Sequence, residues 1–421
     1  MSKQNQTSTT RHRFQALLQT YPTLNFIVKW IFICLLLGIL IGTSSAGFLY
    51  SLDLVTAYRE SHVWIIAFLP LGGLSIGLLY HYYGKDVVGG NKVLIHAIQN
   101  PASTIPFKMA PFIYLSTLLT HLLGGSAGRE GTALQLAGAI ADQWSKPLRL
   151  SESDRRILLI AAIAAGFGSV FGTPLAGAIF AVELAILGRI SYQALWPSLA
   201  AAFIADQVTL MWHITHNQYS IHSIPSFSYT NIFYVILASL LFGFCARAFI
   251  YGINWTSNLF KSMIHYPPLR PLIGGLMIVG VLALLGTTQY SGLGLPTISR
   301  SFQEALSPYD FAIKMGLTIL TLAAGFKGGE VTPLFFIGAA MGNTLAMLIP
   351  LPISLLAGMG FVAVFAGATN TPIACSIMAF EIFGIECLLY TTIACILAFI
   401  VSGKSSIYSM QNTGQFKIFK Y

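Results

Sequence analysis

Apolar residues fall in long runs with polar residues confined to short intervals between them, at about 26–50, 63–83, 106–123, 157–187, 192–213, 231–252, 271–286, 311–325, 333–348, 353–366, 372–384 and 386–402. Runs such as 26–40 and 157–182 lack the dyad alternation of barrel strands. In lipid only helices and closed barrels satisfy their own backbone, so the pattern predicts membrane helices. Many runs are shorter than the about 20 residues of a full crossing. The run 157–187 is too long for one span and breaks at Gly172-Thr173-Pro174. Proline is well tolerated just inside a helix start, so two helices are expected there. Glycine-rich breaks at Gly89-Gly90-Asn91-Lys92 and around Gly124, Gly125, Gly128 and Gly131 interrupt the chain in a similar way. The expected fold is an all-α polytopic membrane protein with broken, short helices.

Composition agrees with that pattern. Hydrophobic residues make up 55% of the 421, charged residues 9%, and the mean hydropathy is +0.72. The net charge of +9 does not point to nucleic acid, because the basic residues are scattered between apolar spans without an interleaved basic and aromatic tract. Loop topology and lipid headgroups account for them. Residues 1–24 are polar, with Lys3, Arg11 and Arg13 and no acid, which places the N-terminus in the cytoplasm of a cell inner or plasma membrane. The first run is long, with no small-residue cleavage site before charged sequence, and is expected to stay as the first span. The five cysteines lie in apolar segments without CxxC pairs and read as packing residues. No HExxH, GxSxG or paired-aspartate pattern supports an intramembrane enzyme, and no motif calls for a cofactor or metal.

Charge reappears where it is least expected. Gly124 to Asp142 places Arg129 and Glu130 in an otherwise apolar region, and ionisable residues at that depth mark functional sites by default. A helix opening at a glycine-rich turn offers unpaired N–H groups and a positive dipole end to an anion. The plainer alternative is close packing of small residues, with Arg129 and Glu130 paired at a helix interface.

The stretch recurs. Gly128-Arg129-Glu130-Gly131-Thr132 and Gly328-Gly329-Glu330-Val331-Thr332 share glycine, glutamate and threonine two hundred positions apart, and Gly125 with Gly325, Leu122 with Leu322, and Gly138 with Gly338 keep the register. Downstream, Thr173-Pro174-Leu175-Ala176 with Glu183 matches Thr371-Pro372-Ile373-Ala374 with Glu381. Two related halves, about 25–215 and 225–410, with interrupted helices in corresponding places, predict a transporter whose site lies between them near the midplane.

These residues resemble the CLC family of chloride channels and anion/proton antiporters over about residues 26–410. GREGT at 128–132 is similar to the family's GREGP signature, and the resemblance gives Glu130 the role of gate and proton carrier. GEVTP at 329–333 resembles GxFxP, with Val331 where phenylalanine is usual, and FGTPLAGAIFAVE at 171–183 resembles the segment that ends in a conserved glutamate. Tyr408 matches the tyrosine that coordinates the central anion. The departures point to one branch: Gly89-Gly90-Asn91-Lys92 replaces the serine-bearing anion loop, and Thr132, Glu330 and the GFKGGEVTP run at 325–333 are similar to the fluoride-exporting members. The inner glutamate of chloride exchangers is replaced by Leu184, so the inner proton route differs or coupling is lost.

The resemblance implies a transport domain over 25–410, a short tail at 411–421 without a soluble regulatory domain, two inverted repeats, and a homodimer in the bilayer with one pathway per subunit. It implies fluoride/proton antiport, with chloride conduction or chloride/proton exchange as the alternative. The expected site comprises Glu130 and a second acid, Glu330, with Gly90, Asn91, Lys92, Gly128, Arg129, Gly131, Thr132, Gly329, Val331, Thr332 and Tyr408 around the anion. Fluoride is small and strongly hydrated, and Asn91, Thr332, Tyr408 and protonated Glu130 can donate to it. Lys92 either adds positive potential or snorkels to the interface. Glu330 is either a site residue or the ion-pair partner of Lys327, three residues earlier. Glu183 and Glu381 are expected to be structural, ending helices with hydrogen bonds to neighbouring loops, and His96 and His121 to be interfacial or satisfied rather than proton carriers.

Overall fold

The computed structural model describes residues 22–100, 102–185 and 192–408. The first series of helices is α1 (Pro22–Ser61), a 3₁₀ segment (Val63–Phe68), α2 (Leu69–Tyr82), α3 (Asn91–Gln99), α4 (Met109–Leu122), α5 (Glu130–Asp142), α6 (Glu152–Phe171), α7 (Pro174–Ala185) and α8 (Tyr192–Met211). The second is α9 (Tyr229–Met263), α10 (Leu269–Leu285), α11 (Leu295–Ser301), α12 (Asp310–Ala324), α13 (Val331–Leu345), α14 (Ile353–Thr369), α15 (Pro372–Phe383) and α16 (Leu388–Val401). Among the described residues, four segments are long and apolar enough to cross a membrane, Phe26–Ser61, Val63–Tyr82, Tyr192–Met211 and Tyr229–Met263, while other apolar helices have 10–17 residues.

The break at 172–174 falls where glycine and proline predict it: Gly172 closes α6 with φ +71° and Pro174 opens α7. Two helices overrun their apolar runs. α1 continues about ten residues past position 50 because its end packs on protein, where buried Arg59 donates to the His121 carbonyl at 2.9 Å. α9 continues to Met263 with Ser257 and Lys261 facing a cavity that carries several basic side chains. The expected segments 1–24 and 411–421 lie largely or wholly outside the described residues.

Ion pairs and hydrogen bonds at the helix ends assign each end to a face. Lys29, near the start of α1, meets Asp154 of α6 at 2.6 Å, and Arg155 of α6 grips Asp142 at the end of α5 at 2.6 Å. α5 therefore runs from the middle of the protein to the face where α1 begins, here the first face. The end of α2 returns to that face, and Tyr82 meets Tyr266, just before α10, at 3.2 Å. α10 then crosses to the opposite face. There Asn343, near the end of α13, donates to the Ser301 and Glu304 carbonyls at 2.8 Å and accepts from Leu306 N at 2.9 Å. α13 thus runs from the middle to the opposite face, antiparallel to α5. The two halves are inverted.

α6 and α14, rich in Ala and Gly, are buried along nearly their whole length. Helices apolar on every side occupy a core, and small residues let their neighbours come close. Phenylalanines fill the space between them: Phe335 of α13 stacks on Phe361 of α14 with ring centroids 3.9 Å apart, and Phe167 of α6 stacks on Phe180 of α7 at 4.4 Å. Tyr408 sits edge-on to Phe180 at 6.4 Å, so the same aromatic core fixes its ring.

Candidate functional site

The two glycine loops meet main chain to main chain. Gly128 and Gly329 form an isolated antiparallel bridge, each N–H donating to the other's carbonyl at 2.6 Å. From this seam α5 and α13 diverge, so both N-termini are held at the centre.

Glu130, the first residue of α5, is fully buried. Its side chain turns away from its own helix to the start of α13. Oε2 accepts from Thr332 N at 3.1 Å and from Arg129 N at 3.1 Å, and Oε1 accepts from the Thr332 hydroxyl. The carboxylate therefore occupies the N–H groups that a free anion would use at that helix end. The Arg129 Nε stands 3.6 Å from Oε1, within ion-pair range but beyond a hydrogen bond. Main-chain donors and the Thr332 hydroxyl, rather than the Arg129 guanidinium, hold the carboxylate.

The third glycine break joins the same centre. Gly90 precedes α3 with φ +57°, a conformation suited to glycine, and Asn91 is the first helical residue. A Cβ placed on Gly131 would lie 3.0 Å from Gly329 Cα and 3.3 Å from both Asn91 Nδ2 and Glu330 Oε2. Segments 90–91, 128–132 and 329–332 are thus in mutual contact, and position 131 has room for glycine alone. Among the described residues, Asn91 Oδ1, Glu330 Oε2 and the Tyr408 hydroxyl are buried without a hydrogen-bond partner, which leaves polar groups from three chain segments facing the centre unused. Burying such groups unpaired is costly, and small polar ligands or ions are the usual occupants.

Other expected residues are placed differently. Thr132 is buried, but its hydroxyl pairs with that of Thr117 at 2.7 Å, not with the Glu130 carboxylate. Lys92 is exposed and lines a cavity on the first face. Val331 is a buried apolar residue at the start of α13. The alternative pairing of Glu330 with Lys327 is not made: Lys327 Nζ donates to the Val88 carbonyl at 3.2 Å and lies 4.2 Å above the Tyr80 ring. A cation over an aromatic face with one carbonyl acceptor is already satisfied. His121 is buried with Nε2 donating to the Gly128 carbonyl at 3.3 Å and Nδ1 unpaired, while His96 is exposed.

Two further residues, Gln135 and Thr117, adjoin the centre, and a buried lysine, Lys314, braces the loop ahead of α11. Gln135, one turn into α5, lies 3.3 Å from the Cβ position of Gly90. Thr117 of α4 engages Thr132. Lys314, fully buried in α12, donates to the Tyr290 and Gly292 carbonyls at 2.9 and 2.7 Å. Lys314 carries a signal readable in sequence, a lone ionisable residue inside an apolar span; Gln135 and Thr117 carry none.

Known proteins resemble the chain along most of its length. The profile of a family described as voltage gated chloride channel matches residues 72–403. A chloride/fluoride channel protein of Pseudomonas syringae pv. tomato is 46% identical over 400 residues, covering 94% of this chain and 88% of that protein. A crystal structure of a CLC-type fluoride/proton antiporter superposes with a TM-score of 0.89 at 35% identity, covering 91% of this chain and 98% of its own. A slow cyanobacterial Cl⁻/H⁺ antiporter shares the fold, with a TM-score of 0.79 at 19% identity and coverage of 90% and 96%.

Proposed function

The chain belongs to the CLC family of anion channels and transporters, and on that premise we propose that it is a fluoride/proton antiporter that exports fluoride across the cell membrane, with its N-terminus in the cytoplasm. The observation that carries this reading is the Glu130 carboxylate bound by Thr332 N, the Thr332 hydroxyl and Arg129 N. Ionised, it fills an anion's place. Protonated, it loses its charge and its hold on those donors, and it becomes a donor that a strongly accepting anion can use. Anion passage and proton movement then alternate on one side chain.

Fluoride is favoured over chloride because it demands short, strong donors in place of its water. Asn91 Nδ2, the Thr332 hydroxyl, the Tyr408 hydroxyl and protonated Glu130 are such donors at one centre. Glu330 stands against Gly131 on the other side of the seam with one oxygen unpaired, a second acid able to take the proton that Glu130 gives up. Support comes also from the relatives, one named for chloride and fluoride and one for fluoride/proton antiport.

Efflux from proteoliposomes, with fluoride, chloride and pH recorded together, tests the proposal. Wild-type protein should move fluoride well above chloride and drive protons against their gradient when fluoride is supplied. Glu130→Gln should abolish the pumping while remaining folded. If Glu130 only braced the fold through Arg129, Arg129→Gln would cause the same loss through misfolding. A folded Glu130→Gln protein that still pumps protons excludes the mechanism, and chloride flux equal to fluoride flux in the wild type favours the chloride alternative.

A further inference from the structure

Apart from the Glu130 centre, a cavity of about 600 Å³ opens among the ends of α2, α9 and α12, the start of α10, and the loops entering α3 and α13. Among the described residues, its wall carries Lys85, Lys92, Lys261, Arg270, Lys327 and His81 and no aspartate or glutamate. Among the described residues, the ammonium groups of Lys85, Lys92 and Lys261 stand on exposed residues and make no hydrogen bond or ion pair. The neighbouring acid, Asp86, is taken by Lys108 at 2.7 Å. Arg270 spends Nε on the Ile264 carbonyl at 3.0 Å, which fixes the guanidinium and leaves its outer nitrogens for a ligand.

That charge is far more than one halide ion requires. Several cations spread around a space of this size suit an oxyanion that carries its charge on several oxygens, with a planar arginine fork among the donors. The depth is also informative. His81 lies edge-on to Tyr266 at 5.3 Å, and Tyr82, Tyr83 and Tyr266 are exposed beside the opening. Aromatic side chains of this kind settle at the membrane–water interface, and basic pockets between helices at that level bind phosphorylated headgroups.

We propose that this cavity binds a phosphate-bearing ligand, which by resting on the loops of Gly89, Lys92 and Lys327 governs anion entry to the Glu130 centre from the first face. Asn91 follows Gly90 directly and Glu330 lies three residues beyond Lys327, so an occupant contacts the two loops that present both groups. Phosphate chemistry could come from an anionic phospholipid or from free phosphate.

Full-length protein and the double variant Lys85→Gln/Lys261→Gln distinguish these sources. In detergent, binding of inorganic phosphate is followed by ³¹P NMR and retention of phosphatidylglycerol by native mass spectrometry; wild type should bind at least one, and the variant should lose about tenfold or more. Lys85→Arg/Lys261→Arg should restore binding. In phosphatidylcholine vesicles without phosphate the two proteins should carry fluoride equally. Phosphate on both sides, or phosphatidylglycerol in the bilayer, should then change wild-type flux severalfold and leave the variant unmoved. A response to phosphate alone identifies the free anion, and a response to the lipid alone identifies the headgroup. Equal binding of both probes by wild type and variant overturns the site, and binding without any change in flux overturns its control of entry. Binding is read without transport, so failure of the fluoride assignment leaves this result standing.

Discussion

At the scale of single residues, the hydroxyl of Thr332 and the missing side chain of Gly131 are the most exposed to test. Thr332→Val keeps the main-chain donor to Glu130 but removes the hydroxyl donor. Fluoride flux should fall about tenfold or more, a loss of about 1.4 kcal/mol or greater, while Thr332→Ser keeps most of it; equal rates for Val and Ser would remove the hydroxyl from the mechanism. Asn91→Leu removes an amide donor near Gly131 and should lower the preference for fluoride over chloride in paired halide efflux. Gly131→Ala should impair transport of either anion, since its methyl would push against Gly329, Asn91 and Glu330 together. Glu130 and Glu330 were legible because charge in an apolar run and a register of two hundred positions are visible in the letters. The partners of Thr132 and Lys327 were not. Which hydroxyl Thr132 meets depends on how α4 lies beside α5, and Lys327 chose Tyr80 and Val88, more than two hundred residues away, over an acid three residues off.

At the scale of elements, the two half-length helices α7 and α15 cap each other. Glu183, near the end of α7, accepts from Ile373 N and Ala374 N at 3.2 and 2.9 Å, and Glu381 of α15 accepts from Leu175 N and Ala176 N at 2.9 and 2.7 Å. The sequence indicated structural glutamates bonded to nearby loops; the partners are instead the first N–H groups of the opposite helix. A helix start with a proline second to the break still has donors to satisfy, and a carboxylate there also meets the positive dipole end. Glu183→Ala strands two donors on an apolar flank away from water, each costing about 1–3 kcal/mol when left unpaired. The melting temperature in detergent should drop by several degrees, while the folded fraction keeps its ratio of fluoride to chloride flux; an altered ratio would mean that Glu183 acts on the ions. Helix existence was readable from apolar runs almost everywhere. Helix length was not, because the ends of α1 and α9 are stabilised by contacts that no local pattern encodes.

At the scale of the whole molecule, the capped pair lies at a surface: Leu175 and Ile373, whose N–H groups the glutamates hold, are 44% and 49% exposed. A polar junction on an apolar flank is better covered by protein than by lipid tails. Two copies are therefore expected to meet over α7 and α15. Light scattering of the detergent-purified protein should give two chains per particle, and Ile373→Trp should shift it toward one chain with flux retained; a wild-type single-chain particle would contradict the dimer. The seam between Gly128 and Gly329 has a different kind of consequence. It is made by backbone alone, so it registers the halves regardless of which side chains surround it. After a duplication, such a joint lets equivalent positions specialise without losing alignment. Glu130 and Glu330 are siblings in this sense: one has acquired three donors, while the other keeps an unclaimed oxygen. The backbone joint fixes where the two acids stand, and the side chains around each decide what it does.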